Sequence, residues 1–171
     1  MRFLPPAVLR ELDDRALEDL LGRTGLVVAF GAGELSGLAA AALLFADYAV
    51  LDRDALLVID TPAAWSGVVW RLGRRAMRLF VRDEHRIAAS EAIALELCDE
   101  VADAVEPEAW LAGWLGDRSQ LALDSAATLI RMRGGDALER AEFARLFAIG
   151  EPQHGVSAFL GKRPAAFSDE R

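Results

Sequence analysis

The residues best placed to do chemistry are a glycine-rich turn and two carboxylates. Gly31-Ala32-Gly33-Glu34-Leu35-Ser36-Gly37 joins a short apolar run to a helix rich in alanine and leucine, and the N-terminus of a helix favours an anion. Glu34 lies inside this turn, and Asp60 closes a second apolar run. Either is a candidate proton acceptor. The plainer alternatives stand beside these readings: the glycines only shape a tight turn, and the two acids are solvated turn residues. Further on, Arg71, Arg74, Arg75, Arg78 and Arg82 recur at helical spacing. They predict one basic stripe, suited to phosphates or an acidic partner, or a solvated face opposite Leu72, Ala76, Leu79 and Phe80. Trp65, Trp70, Trp110 and Trp114 suit an apolar ligand wall, a core or a subunit contact. His85 and His154 are too far apart for a metal-ligand pattern, and no P-loop, serine-nucleophile or zinc motif is present.

The elements that must position these residues follow from periodicity. Pro5 and Pro6 suit a helix start, and Val8, Leu9, Leu12, Leu17, Leu20 and Leu21 recur at helical spacing, predicting one helix up to Gly22. Leu26-Val27-Val28-Ala29-Phe30 reads as a buried strand. Leu38 to Phe45 reads as a buried helix, and 48–51 and 56–59 as two more strands. From Pro62 the chain reads as almost wholly helical, with helices over 67–82, 88–96, 107–115, 118–133, 136–148 and 152–161, and a short extended link over 97–101. Alternating strands and helices followed by helices alone predict an α/β domain with a helical C-terminal half.

Composition narrows the partners. A chain of 171 residues with 53% hydrophobic and 27% charged residues reads as one globular domain rather than a disordered chain. A formal net charge of −8 excludes a general nucleic-acid binder, which needs a basic surface. The single cysteine, Cys98, lies in an apolar stretch and is expected to be a buried thiol in a reducing compartment. Pro5 and Pro6 interrupt any leader-like run, and the longest apolar run, Leu35 to Ala46, is too short to span a bilayer. A cytoplasmic protein without a membrane partner is the expectation.

Four segments, in order, resemble the crotonase (enoyl-CoA hydratase/isomerase) superfamily. Residues 26–37 resemble its strand leading into "G-x-A-x-G-G-G". Ala46-Asp47-Tyr48-Ala49-Val50 looks like its "CD-x-x-x-A" strand, ten residues after Gly37. His85 to Ala92 is similar to "G-x-x-I-x-A-x-E-A", with 97–101 in the place of "GLV-x-x-V". The most specific match is Glu142-Phe143 followed by 151–167, which resembles "E-x-x-x-F … ED-x-x-EG-x-x-AF-x-EKR-x-P-x-F". The resemblance covers about residues 25–167. Only about 24 residues precede it, so the long N-terminal part of a typical member has no counterpart, nor has its "PGxGG" stretch between Thr61 and Arg71.

The resemblance implies a crotonase-like fold, shortened: a superhelix of ββα units over 1–105 and a helical region over 106–171 used in oligomerisation, forming a single domain over 1–171. It implies an acyl-CoA thioester substrate whose enolate is held by two backbone N–H groups. One donor aligns with Leu38, preceded by Gly37. The other belongs to the absent part, although 29–35 also looks like the family's "AF-x-AG-x-DL" loop and leaves Ala32 as a second donor. The two family glutamates fall on Ala41 and Thr61, neither of which exchanges protons at neutral pH. Asp60 and Glu34 are the candidate substitutes. Phe159 and Lys162 match residues that reach the adenine end of coenzyme A bound by a neighbour. Coenzyme A would enter as part of the substrate, with no separate cofactor. The implied assembly is a homotrimer or hexamer. The alternatives are a non-catalytic acyl-CoA binder, or a structural subunit partnering a full-length crotonase.

Overall fold

The computed structural model describes residues 1–82, 85–103, 106–116, 118–132, 135–165 and 167, with the backbone alone for Arg82. The elements run β1 (Arg2–Leu4), α1 (Pro6–Arg10), α2 (Asp14–Leu21), β2 (Val27–Gly31), β3 (Glu34–Leu35), α3 (Gly37–Phe45), β4 (Tyr48–Asp52), β5 (Leu56–Val58), α4 (Pro62–Leu72), α5 (Met77–Arg82), β6 (Arg86–Ala88), α6 (Ala89–Ala94), β7 (Glu100–Ala102), α7 (Pro107–Leu115), α8 (Gln120–Arg131), α9 (Asp136–Ala148) and α10 (Glu151–Leu160). The chain forms two compact units. The first holds 2–23 and 27–108. The second holds Met1, 24–26 and 109–171.

In the first unit a parallel sheet runs β1-β2-β4-β7, and a smaller sheet runs β3-β5-β6 with β3 parallel and β6 antiparallel to β5. Every residue of β2 is buried, as expected of a central parallel strand covered on both faces. Two aspartates clamp the strand entries. Asp47 accepts from the Val27 N–H at 2.7 Å and returns its own N–H to the Val27 carbonyl at 2.9 Å. Asp99 does the same to Ala49, at 2.7 and 2.8 Å. Arg71 ties the second clamp to α3, donating to Asp99 and to the Leu44 and Ala46 carbonyls at 2.9–3.1 Å. The core gathers around α3, whose Ala40 to Leu44 are all buried. Cys98 is buried as expected, and burial pushes its thiol up to about 11.

Several sequence expectations are corrected. The single helix before Gly22 is two, because Asp13 starts α2 by accepting the Ala16 N–H at 2.7 Å. Three strands, β1, β3 and β6, were hidden in stretches read as a lead-in, a loop and the approach to a helix. They are too short to show a period of two. The extended link before residue 101 is β7, shifted a few residues on. The helix expected over 67–82 breaks at Gly73, whose φ of +54° is left-handed. The expected single stripe therefore does not form: Arg71 is mostly buried and hydrogen-bonded inward, Arg75 pairs with Glu96, and the Arg82 side chain lies outside the described residues.

α3 and α4 pack closely because Gly67 has no side chain. A Cβ there would lie 2.6 Å from the Cβ of Leu44. Substituting alanine inside a helix ordinarily stabilises it by about 1 kcal/mol, but overpacking typically costs about 1–3 kcal/mol. Gly67→Ala is expected to lower the urea midpoint without changing the slope. A raised midpoint would show that the helices can separate freely.

Candidate active site

Parallel neighbours end at the same edge of a sheet, and this brings the candidate residues together. β3 and β5 pair in register, Leu35 opposite Leu57. The chain leaving β3 enters α3 through Ser36 and Gly37, and the chain leaving β5 enters α4 through Asp60 and Thr61. Asp60 Oδ1 accepts the Gly37 N–H at 2.9 Å. Gly37 opens the helix with φ +56°, a conformation that suits glycine. The next N–H groups of this first turn, starting with Leu38, have no carbonyl within the helix to bond. The structure thus places Gly37, Leu38 and Asp60 at one helix N-terminus, with an anion already beside it.

At the two positions that the sequence resemblance sets against the family's glutamates, neither residue is an acid. Ala41 is wholly buried on α3. The Thr61 hydroxyl accepts the Ala64 N–H at 3.2 Å and caps α4. Glu34 points to an ion pair with Arg86 at 2.7 Å, both groups more than half exposed. Such a pair adds little to stability. The Ala32 carbonyl accepts from Arg10 at 3.1 Å, fixing the turn at Gly33, whose φ is +69°. His85 lies near this edge: its carbonyl accepts the Ile59 N–H at 2.8 Å, and its ring meets Trp65 edge-on. The tryptophans do not make one wall. Trp65 contacts Phe80, Trp70 contacts Phe45, and Trp110 stacks on Trp114 in the second unit. Among the described residues no cluster of acids, histidines or cysteine is arranged to hold a metal ion, and no helix is long and apolar enough to cross a membrane.

In the second unit, Phe159 is 81% exposed near the end of α10. Lys162 follows the helix with φ +48° and donates its backbone N–H to the Phe159 carbonyl at 3.1 Å. Sequence reasoning missed a cavity of about 260 Å³ in this unit, lined in part by Asp124, Ser125, Thr128, Glu142 and Arg145. Ser125 donates to Glu142 at 2.6 Å, and Arg145 donates to both. The Arg145 guanidinium and then the Ser125 hydroxyl hold the Glu142 carboxyl down at about 2. Glu142 had been marked by the family's ending, but nothing in its spacing announced Ser125 as its partner.

Compared as a sequence, the chain matches no protein-family model and no curated protein. Compared as a structure, it matches DspI from Pseudomonas aeruginosa at 25% identity and a TM-score of 0.69, covering 90% of this chain and 65% of that one. It matches an enoyl-CoA hydratase/isomerase family protein from Hyphomonas neptunium at 23% identity and a TM-score of 0.73, covering 90% and 65%. It matches an enoyl-CoA hydratase/carnithine racemase from Magnetospirillum magneticum at 19% and 0.71, covering 91% and 64%. The chain has the crotonase fold in a shortened form. It spans about two thirds of the length of these neighbours. The Asp47 clamp and the strand-to-helix turn at Gly37 both lie in segments that carried the resemblance.

Asp60 supplies the side-chain cap of α3, since Ser36 makes none. Asp60→Ala is expected to destabilise the protein by about 0.5–2 kcal/mol in urea denaturation, as for loss of a helix cap. No change would mean that water serves the Gly37 N–H equally well.

Proposed function

We propose that this chain is an enoyl-CoA hydratase/isomerase-like protein that binds an acyl-CoA thioester and stabilises its enolate at the N-terminus of α3, without the family's catalytic glutamates. The supporting observation is the Asp60–Gly37 hydrogen bond, which marks that helix start as a place where negative charge is accepted. Backbone donors there stabilise an oxyanion whatever the side chains, because they are fixed before charge develops. Leu38 is the oxyanion donor and Gly37 lets the backbone turn. Asp60 is the carboxylate nearest the lost glutamate position at Thr61, and so the substitute base if proton transfer occurs. Coenzyme A is part of the substrate, and no separate cofactor takes part.

A second reading is a non-catalytic acyl-CoA binder, or a structural subunit partnering a full-length crotonase. Its support is that Ala41 is buried and Thr61 is committed to capping α4. In either reading the helical region after residue 105 serves assembly into a homotrimer or hexamer. Phe143, Phe147, Val156 and Phe159 supply exposed apolar area for it.

Two experiments test the proposal. General acid–base groups contribute about 10²–10⁴-fold each, so purified protein is expected not to hydrate crotonyl-CoA at a family-like rate, followed by loss of the enoyl thioester absorbance. Fast turnover that disappears in Asp60→Asn would make Asp60 the base and overturn the loss of acid–base catalysis. Turnover appearing only with a full-length relative would favour the subunit reading.

The second experiment concerns coenzyme A. Lys162, the chain's sole lysine, is proposed to meet a phosphate of the coenzyme at a neighbouring subunit, with Phe159 beside the adenine. Charge-assisted hydrogen bonds are worth about 1.5–3 kcal/mol. Calorimetry is expected to show weaker coenzyme A binding by Lys162→Glu, and unchanged binding would remove that role.

A further inference from the structure

Two faces of the first unit carry opposite charge and cannot satisfy each other within one molecule. Helix α3 lies between them: it packs against α1 and α2 as well as against α4, while neither α1 nor α2 packs substantially on α4. On either side of the break at Gly73, α4 and α5 present Trp70, Met77, Phe80 and Val81, all more than half exposed. Arg74 and Arg78 rise among them. Both are exposed, and among the described residues neither holds an ion pair; Arg78 acts only at a distance on Glu96, already paired with Arg75. Exposed tryptophan, phenylalanine and methionine beside arginine is the composition of a protein-interface centre, and two arginines are too few for a polybasic lipid-binding face.

The complementary face is on α2. Leu17 and Leu20 are buried beneath it, which turns Asp14, Glu18 and Leu21 outward at i, i+4 and i+7. Neither Asp14 nor Glu18 holds an ion pair among the described residues, and Leu21 is half exposed. Arg74, in the 3-10 turn at 73–76, and Arg78, in α5, are four positions apart, as are Asp14 and Glu18 on α2, and each pair is followed three residues on by an exposed aliphatic side chain, Val81 or Leu21.

We infer that the α4–α5 face binds the α2 face of a second copy of this chain, head to tail. Arg74 and Arg78 meet Asp14 and Glu18 of the next copy, and Met77, Phe80 and Val81 cover its Leu21. The rims differ, so the contact is heterologous, and repeating it gives a ring or a filament rather than an isolated two-fold dimer. It uses neither the α3 N-terminus nor the C-terminal helices, and so stands independently of the acyl-CoA reading and of the assembly proposed with it.

Charge swapping tests this on the full chain by sedimentation velocity at low salt. The intact protein is expected to self-associate. R74E/R78E and D14R/E18R are each expected to weaken association by roughly tenfold or more, since like charges then face each other. Mixing the two variants is expected to restore it, which a merely misfolded variant could not do. A monomeric intact protein, a charge-reversed variant that associates as before, or a mixture no larger than its components would overturn the contact. So would flotation with phosphatidylserine-containing vesicles, lost in R74E/R78E, by a protein that does not self-associate.

Discussion

The close approach of α3 and α4 at Gly67 constrains everything around the candidate site. α3 is almost wholly apolar and can be stable only if covered, and α4 covers it by bringing Gly67 against Leu44 and the Ala41 carbonyl. Ala41 itself is wholly buried. A carboxylate there would be buried among alanines and leucines, where an unpaired charge is costly. What polar chemistry α3 can offer is confined to its ends.

Those ends are treated oppositely. At the C-terminus the Leu44 and Ala46 carbonyls receive the Arg71 guanidinium. At the N-terminus the Gly37 N–H meets the Asp60 carboxylate. Both charges have the sign that complements the helix dipole. They differ in access. Arg71 is mostly buried and fixed by Asp99 as well, whereas Asp60 and the start of α3 lie at the exposed edge where β3 and β5 end. The closed end holds the sheets and helices together, and the open end is where a ligand anion would compete with a side chain already in place.

The parts legible in the sequence are those with enough residues to show a pattern. β2, β4 and α3 are continuous apolar runs bounded by glycine or acid, and the Asp47 spacing points to the clamp it makes. β1, β3 and β6 show no period and exist because a neighbouring strand offers hydrogen bonds. The break at Gly73 could be suspected only as a weak propensity, because Leu72, Ala76 and Leu79 keep a helical apolar spacing through it. Asp60 and Gly37 are 23 positions apart, and only the parallel pairing of β3 with β5 makes them neighbours. The site was legible as residue types, therefore, but not as the hydrogen bond that joins them.

The second unit follows a different logic. Among its described residues only Gly25, Leu26, Ser125, Ala127 and Ala158 are buried, and two of these are alanines. Burying a large aliphatic side chain contributes about 1.5–3 kcal/mol, so a unit that hides one leucine has little hydrophobic stabilisation of its own. It relies instead on the Ser125–Glu142–Arg145 cluster and on Asp124 and Thr128, which accept the N–H groups of Leu26 and Gly25 at 2.7 and 2.8 Å. Polar networks fix geometry but do not replace a core. Phe143, Phe147 and Phe159 remain substantially exposed on the helices of this unit. That exposed apolar area, beside so small a core, is what supports proposing a role in assembly for this region.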